Sequence, residues 1–325
     1  MVKFIVFILF STFCSATLLA QADIKAQLSA ADSAQLIAAL SSMLDSVDKP
    51  TSYATVSMAI GNRLFSERNN TVNAKQGTNT TTVLTPGIGY YHKSGFNINA
   101  LAYLLNDASK GFTAPQYSIT AAFDLPENEN FSTGLSYTKY FVKDKFSAYA
   151  SPIQNDLYGY FNYKKYWLEP GIAIGYSTGE YKQLITKDTV INNRRRFLYD
   201  SITNNLKAFS VLLSVSHNFE WYNMFTKKDA IQCTPSFMLN VGSSNTAITH
   251  NSNATFLLNL LNKKGKLRRS QNTPFQAESI GLNIDVNYLI GKFSFQPQLY
   301  LDYYLPNTDT ERFSQVFTFN VGYSF

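Results

Sequence analysis

The sequence predicts an all-β fold: a transmembrane, antiparallel, up-and-down β-barrel of about twelve strands, preceded by a short N-terminal helix. Three observations support this prediction. Apolar and polar residues alternate through most of the chain after residue 53, as in strands with one apolar face. The connections between these segments alternate between short and long. Beyond the first residues, no apolar run is long enough to form a membrane-spanning helix.

The N-terminal residues 1–22 are typical of a secretory signal peptide. Lys3 precedes a short apolar run, and Ala20 and Ala22 frame an A-x-A-like cleavage site before Asp23. We therefore expect export across the inner membrane.

Residues 23–50 differ from the rest of the chain and form a predicted helical leader. Apolar residues recur there at helical spacing, and Asp32 with Gln35 suits a capping box. Pro50 ends the helix. The alternatives for the leader are that it plugs the barrel, holds a periplasmic partner, packs under the barrel or is partly disordered.

Residues 51–325 form the predicted barrel. Its best alternation lies over 279–290, where Ile280, Leu282 and Ile284 face one way and Gly281, Asn283 and Asp285 the other. The twelve predicted strands lie near 53–64, 82–92, 95–105, 115–125, 131–142, 154–164, 167–179, 207–221, 232–243, 277–290, 292–304 and 312–325.

The lengths of the connections depend on whether a connection is odd-numbered or even-numbered along the chain. With a periplasmic N-terminus, the periplasmic connections are short, and the outer ones include the long segments 65–81, 180–206 and 244–276. Short periplasmic turns and long outer loops are the arrangement of membrane barrels. A soluble sandwich has no reason to sort its loops in this way.

The last strand, residues 311–325, reads ERFSQVFTFNVGYSF and ends on an aromatic residue. It resembles the closing strand of Gram-negative outer-membrane β-barrels, although Asn320 stands where that family usually has Gly. The resemblance implies that Tyr323 and Phe325 form an assembly signal read by the barrel-assembly machinery. It also implies a location in the outer membrane of a Gram-negative bacterium. The aromatic-rich, weakly charged style is similar to porin-like barrels of the Bacteroidota.

Aromatic residues make up 15% of the chain and cluster at the predicted strand ends. Aromatic side chains are enriched at both membrane–water interfaces, so we expect two girdles. Ordinary β-propensity is the alternative explanation. The expected girdle residues are Tyr90, Tyr137, Phe141, Tyr163, Tyr176, Trp221, Tyr288, Tyr303 and Tyr323.

Charged residues within the strands are expected to face the lumen, because charge is costly on the lipid side. They indicate either a water-filled pore with an acidic wall that favours cations, or a polar network that closes a small barrel. Tyr53, Tyr158, Tyr160, Tyr300 and Tyr304 are also expected to fill lumen space. The predicted lumen-lining residues are Arg63, Asp124, Asp156, Glu169, Glu220, Asp285 and Asp302.

Two predicted outer loops are basic. Clustered cations suit lipopolysaccharide phosphates or anionic glycans, although such runs are often simply solvated. The expected partners are therefore outer-membrane lipid and lipopolysaccharide, besides small solutes; nucleic acid is not expected. The candidate binding residues are Arg194, Arg195, Arg196, Lys263, Lys264, Lys266, Arg268 and Arg269.

Little in the chain indicates catalysis. Removing the signal leaves Cys233 as the one cysteine, so no intramolecular disulfide, metal cluster or cofactor is expected. His250-Asn251-Ser252-Asn253 resembles the H-x-S-N element of outer-membrane phospholipases, but the following Gly is replaced by Ala254 and the segment is predicted to be loop.

The leading functional prediction is a porin-like channel for passive passage of small solutes. The alternative is a non-conducting scaffold for surface binding or assembly that uses the basic outer loops. An outer-membrane lipase is a distant third, so no enzymatic activity is predicted.

Overall fold

The computed structural model describes residues 51–62, 82–107, 111–126, 128–142, 153–191, 194–252, 271–306 and 312–325. The predicted signal peptide and helical leader lie outside these residues. Among the described residues, no helix is long and apolar enough to cross a bilayer.

The described chain consists of thirteen β-strands joined by turns and loops. Their alternating sequence pattern explains why they form strands rather than helices. They are β1 (Tyr53–Gly61), β2 (Val83–Tyr91), β3 (Phe96–Asp107), β4 (Gly111–Asp124), β5 (Phe131–Val142), β6 (Asn155–Tyr163), β7 (Glu169–Ile191), β8 (Arg194–Ser216), β9 (Phe219–Tyr222), β10 (Asp229–Ser252), β11 (Gln271–Ile290), β12 (Phe293–Tyr304) and β13 (Phe313–Ser324).

The strands form one closed antiparallel sheet. With the exception of β8 and β9, consecutive strands pair with each other, and β1 pairs with β13 from Thr55↔Ser324 to Gly61↔Thr318. Both β8 and β9 pair with β10, so together they occupy one place in the sheet. The prediction of a twelve-stranded barrel is confirmed.

A short break separates β8 from β9, where the sequence predicted one strand over 207–221. The register places Pro235 of β10 opposite His217, between the pairs Ser236↔Ser216 and Cys233↔Phe219. Proline has no N–H to donate, so the ladder loses a hydrogen bond there. The His217 N–H still donates to the Pro235 carbonyl at 3.2 Å.

The apolar side of the sheet faces outward and the small polar side faces inward. Ile88 and Phe237 are 63% and 56% exposed on the outer surface, whereas the inward Ser118 and Ser136 are buried. A soluble barrel would show the reverse arrangement. An exposed apolar surface on a closed sheet is the arrangement that a lipid bilayer requires.

The two ends of the barrel differ in their connections. One end, the turn end, has the short connections 92–95, 125–130, 164–168, 223–228 and 291–292, and both Thr51 and Phe325. Gly95 and Gly291 adopt positive φ angles of 96° and 59°, which side chains disfavour. The opposite end, the loop end, holds the other connections. The short turns lie where the sequence placed them.

The predicted extent of the two longest outer loops is wrong. Strands β7 and β8 continue their ladder to Ile191↔Arg194, and β10 remains paired with β8 up to Ser252↔Asp200. Most of 180–206 and part of 244–276 are therefore strand. An apolar alternation is needed only where a strand faces lipid; beyond the membrane, backbone hydrogen bonds alone continue the hairpin.

We predict that a charge placed on the outward surface destabilises the barrel. Leu282 lies midway between Phe275 and Ile290 on β11, next to Phe237 and Leu301 in register. Leu282→Arg should lower the free energy of unfolding by about 2–4 kcal/mol, because lipid cannot hydrate the guanidinium. Urea titration of the protein folded into liposomes measures this value.

The matched control is Gln298→Arg, which places the same charge in the lumen. Gln298 lines a cavity and donates one hydrogen bond to Asn283. Its replacement should cost only about 1 kcal/mol, the contribution of that hydrogen bond. Equal losses at the two positions would contradict the assignment of the outer face.

Candidate functional site: the barrel lumen

The turn-end half of the lumen contains two adjoining cavities of about 270 and 540 Å³. Residues of β1, β2, β3 and β10 to β13 line the first cavity, and residues of β2 to β4, β6 to β8, β10 and β11 line the second. Asp285 of β11 lines both cavities. The two cavities therefore meet at this carboxylate.

Side-chain amides form much of the wall of the first cavity. The Asn320 amide donates to Gln296 at 2.9 Å, Gln296 donates to Asn287 at 3.4 Å, and Gln298 donates to Asn283 at 3.0 Å. These residues come from the inward positions of β11, β12 and β13. Amides both donate and accept hydrogen bonds, so this wall suits water and uncharged polar solutes.

Two polar oxygen atoms in this wall have no partner among the described residues. Thr318 Oγ1 and Asn320 Oδ1 are both buried and form no hydrogen bond. Both residues line the first cavity. Because a buried polar atom without a partner is costly, these atoms need water or a solute in the cavity.

Asp285 is the predicted lumen residue that the structure places at the centre of the cavities. It is half-buried, between Thr234 and Gln298 in register. No hydrogen bond from a described residue reaches its carboxylate. The carboxylate is therefore free to act on whatever occupies the lumen.

Asp124 also lines the second cavity but is held by the wall. Its two carboxylate oxygens accept hydrogen bonds from Asn97 at 2.9 Å and from Tyr160 at 3.1 Å. A Cβ atom on Gly134 would lie 2.3 Å from Asp124 Oδ1, so the glycine makes room for this carboxylate. Asp124 therefore links β3, β4 and β6 by hydrogen bonds and has a structural role in the wall.

Asp156 and Asp302 are buried and lie away from the cavities. Asp156 accepts a hydrogen bond from Ser177 at 2.7 Å, and Asp302 accepts one from Tyr300 at 3.0 Å. Both carboxylates belong to the packed part of the lumen. Neither residue lines the first or the second cavity.

Glu169 and Glu220 lie at the turn end, and neither lines the two cavities. Glu169 begins β7 and is half-buried. Glu220 is exposed and accepts hydrogen bonds from Asn218 at 2.6 Å and Tyr222 at 2.5 Å. Arg63 lies outside the described residues.

The loop-end half of the lumen is packed with side chains. One cluster contains Val83, Tyr103, Leu105, Tyr140 and Ile153, with Leu101 and Leu206 against it. A second cluster lies nearer the turn end, because four of its members, and Tyr160 packed against it, also line the second cavity. Its members are Tyr158, Ala173, Leu212, Met238, Tyr300 and Val316. Of the expected lumen aromatics, Tyr158 and Tyr300 thus fill space, while Tyr53 stacks on Tyr91 at 4.8 Å near the turn end.

Aromatic side chains lie on the outer surface at both ends. Tyr90, Tyr137, Phe141, Tyr176 and Tyr303 are exposed there. The expected girdle residues Tyr163, Trp221, Tyr288 and Tyr323 are half-buried and contact other rings.

The basic segments and the phospholipase-like element lie at the loop end. The backbone of Arg194, Arg195 and Arg196 is strand, paired with the end of β7, and not loop. His250 and Ser252 belong to the end of β10, which corrects the prediction that they lie in a loop. The remaining candidates, Lys263, Lys264, Lys266, Arg268 and Arg269, lie outside the described residues, as does Asn253. No described group of His, Cys, Asp or Glu could hold a metal ion.

Comparison with known proteins gives only distant similarities. No protein-family model and no curated protein matches the chain. The β domain of the Bordetella autotransporter Brka is 9% identical, with a TM-score of 0.34, over 85% of this chain and 100% of that one. Pseudomonas putida OprB is 8% identical, with a TM-score of 0.28, over 89% and 97%. Such scores carry no argument about function.

The class of protein follows from the structure itself. The sheet is closed, its apolar side faces outward, and the connections at one end are all short turns. These features define an outer-membrane-type transmembrane β-barrel. The predicted location in the outer membrane agrees with this class.

We predict that removal of the two cavity carboxylates affects the stability of the barrel to different extents. Asp124→Ala removes the acceptor for Asn97 and Tyr160 and should lower the free energy of unfolding by about 2–3 kcal/mol, since hydrogen bonds to charged groups are strong. Asp285→Ala removes no hydrogen bond and should change stability little. Urea unfolding of both variants compares them, and an equal loss would show that Asp285 also supports the wall.

Proposed function

We propose that the barrel is a channel for passive passage of small polar solutes. The observation that carries this proposal is the amide-lined cavity that surrounds Asp285 in the turn-end half of the lumen. Two buried polar atoms in its wall form no hydrogen bond with a described residue, which supports occupation by water or solute.

The solutes would be small and either uncharged or cationic. Amide walls hydrogen-bond neutral polar groups in either direction, and the free carboxylate of Asp285 attracts cations. Packing in the loop-end half would limit passage to narrow solutes or require side-chain movement. Tyr140 and Tyr300 are large buried residues of the two packed clusters.

A non-conducting scaffold is the second candidate, and the same packed clusters favour it. In this case the barrel would be an anchor, and the hairpins at the loop end would bind a partner. The Arg194, Arg195 and Arg196 run at the tip of the β7–β8 hairpin would then meet an anionic glycan.

The channel proposal is tested by recording from purified protein in planar bilayers. We expect stepwise conductance with a preference for cations, and Asp285→Asn should reduce that preference. Glu220→Gln is the matched control: it removes the same charge from an exposed residue at the turn end that lines neither cavity. Reversal potentials in asymmetric salt give the measurement.

Silent membranes at high protein load would favour the scaffold, provided that Tyr300→Ala and Tyr140→Ala are silent as well. Conductance that appears only in these variants would identify a barrel closed by its own packing. A cation preference lowered equally by Glu220→Gln and Asp285→Asn would contradict the role given to Asp285.

We also propose that Tyr323 and Phe325 act as the assembly signal. Phe325 is 65% exposed, and its N–H donates to the Ala54 carbonyl at 2.9 Å. The centroid of its ring lies 4.9 Å from the centroid of the Tyr323 ring. The end of the chain thus presents an accessible aromatic pair where the barrel closes.

Deletion of Phe325 should lower the amount of protein in the outer membrane several-fold, because the terminal recognition element is lost. Heat-modifiable migration on unboiled gels measures the folded fraction. The control Phe293→Ala removes a neighbouring exposed aromatic from the same end. Normal assembly without Phe325 would contradict the signal.

A further inference from the structure

A positive charge lies on the lipid-facing surface near the loop end. Lys139 of β5 occupies an outward position between Tyr137 and Phe141, which are 46% and 48% exposed, while Thr138 and Tyr140 face inward and are buried. A lysine on this face is unfavourable unless it reaches the membrane interface. Its surroundings must therefore compensate the charge.

Among the described residues, the partners of this lysine are neutral. Lys139 Nζ donates to Asn155 Oδ1 at 2.7 Å, and the Tyr137 hydroxyl donates to the same oxygen at 2.9 Å. Asn155 Nδ2 in turn donates to Thr178 Oγ1 at 3.2 Å. No described carboxylate forms an ion pair with Lys139, so its charge is not balanced by the part of the barrel that the structure describes.

A second lysine lies in the same row of the sheet. The register pairs Lys139 with Asn155, Asn155 with Thr178, and Thr178 with Lys207. Lys207 is exposed and also forms no ion pair with a described carboxylate. Three strand spacings separate the backbones of the two lysines, which corresponds to a distance of about 14 Å.

A described acidic residue on the same face has its own partner. Glu180 is the next outward residue after Thr178 on β7, and its carboxylate lies 3.0 Å from Lys182 Nζ. Neither Lys139 nor Lys207 forms an ion pair with it. We name Lys139, Asn155, Thr178 and Lys207 the cationic row.

We infer that the cationic row binds the phosphate groups of a phosphorylated glycolipid in the outer leaflet. The row lies away from the short turns and the chain termini, which places it in the outer leaflet of a barrel with a periplasmic turn end. Lysine ammonium groups, the Asn155 amide and the Thr178 hydroxyl are donors suited to phosphate oxygens.

The spacing selects a large headgroup. A phospholipid with one phosphate reaches one of two lysines that stand about 14 Å apart. A glycolipid whose sugar unit separates two phosphates reaches both lysines, and its hydroxyls meet the polar residues between them. This inference does not depend on whether the lumen conducts.

The test is native mass spectrometry of the full-length protein folded in detergent, with diphosphorylated lipid A as the probe. We expect the protein to retain lipid A and to bind its dephosphorylated form and phosphatidylglycerol at least tenfold more weakly. The double variant Lys139→Gln/Lys207→Gln should lose at least tenfold in lipid A binding. Lys139→Arg/Lys207→Arg should retain it.

The matched control is Lys227→Gln/Lys228→Gln, which removes two exposed lysines from the turn end. It should bind lipid A as the wild type does. Heat-modifiable migration shows that every variant is folded before binding is measured. An equal loss in this control, undiminished binding by the Lys139→Gln/Lys207→Gln variant, or equal retention of phosphatidylglycerol would overturn the inference.

Discussion

The pairing of β1 with β13 is the constraint on which the rest of the structure depends. Without it the sheet would have two edges whose N–H and C=O groups no lipid can satisfy. The ladder runs from Thr55↔Ser324 to Gly61↔Thr318, and Asn62 extends it by accepting from the Phe317 N–H at 2.9 Å and donating to the Gln315 carbonyl at 3.2 Å. At the other end, the Phe325 N–H donates to Ala54. The hydrogen bonds of the seam therefore span its full length.

Closure also decides what each side chain can do. Once the backbone is paired around the ring, every residue faces either lipid or lumen, and the alternation of the strand leaves no third choice. Leu282 and Asn283 are neighbours in the chain, yet one is exposed on the outer surface and the other is buried within the barrel. Function must therefore come from the inward half of the residues, from the two rims, or from an outward residue that breaks the apolar pattern.

The sequence was informative where one face of a strand meets lipid, and less so elsewhere. The strand predicted over 131–142 has the observed bounds of β5, because its alternation spans the membrane. The strand predicted to end at residue 179 continues to Ile191, since backbone pairing outside lipid needs no apolar pattern. The inward side of Asp285 followed from parity alone. Parity could not predict which inward carboxylates accept hydrogen bonds from the wall, because Asn97 and Tyr160 reach Asp124 from other strands.

The contrast between these two aspartates shows why the number of charged residues in a lumen does not by itself predict how the lumen acts on a solute. Asp124 accepts hydrogen bonds from two donors of the wall, and these bonds stabilise its charge and hold the wall together. Asp285 lines the same cavity, and its carboxylate accepts no hydrogen bond from a described residue. Its electric field therefore acts on the contents of the lumen. The same reasoning applies on the outside, where Lys182 forms an ion pair with Glu180, whereas Lys139 donates to an amide oxygen and forms no ion pair with a described carboxylate. In a barrel, a charge that the protein leaves unbalanced is one that the surroundings must balance, and this difference separates functional positions from structural ones.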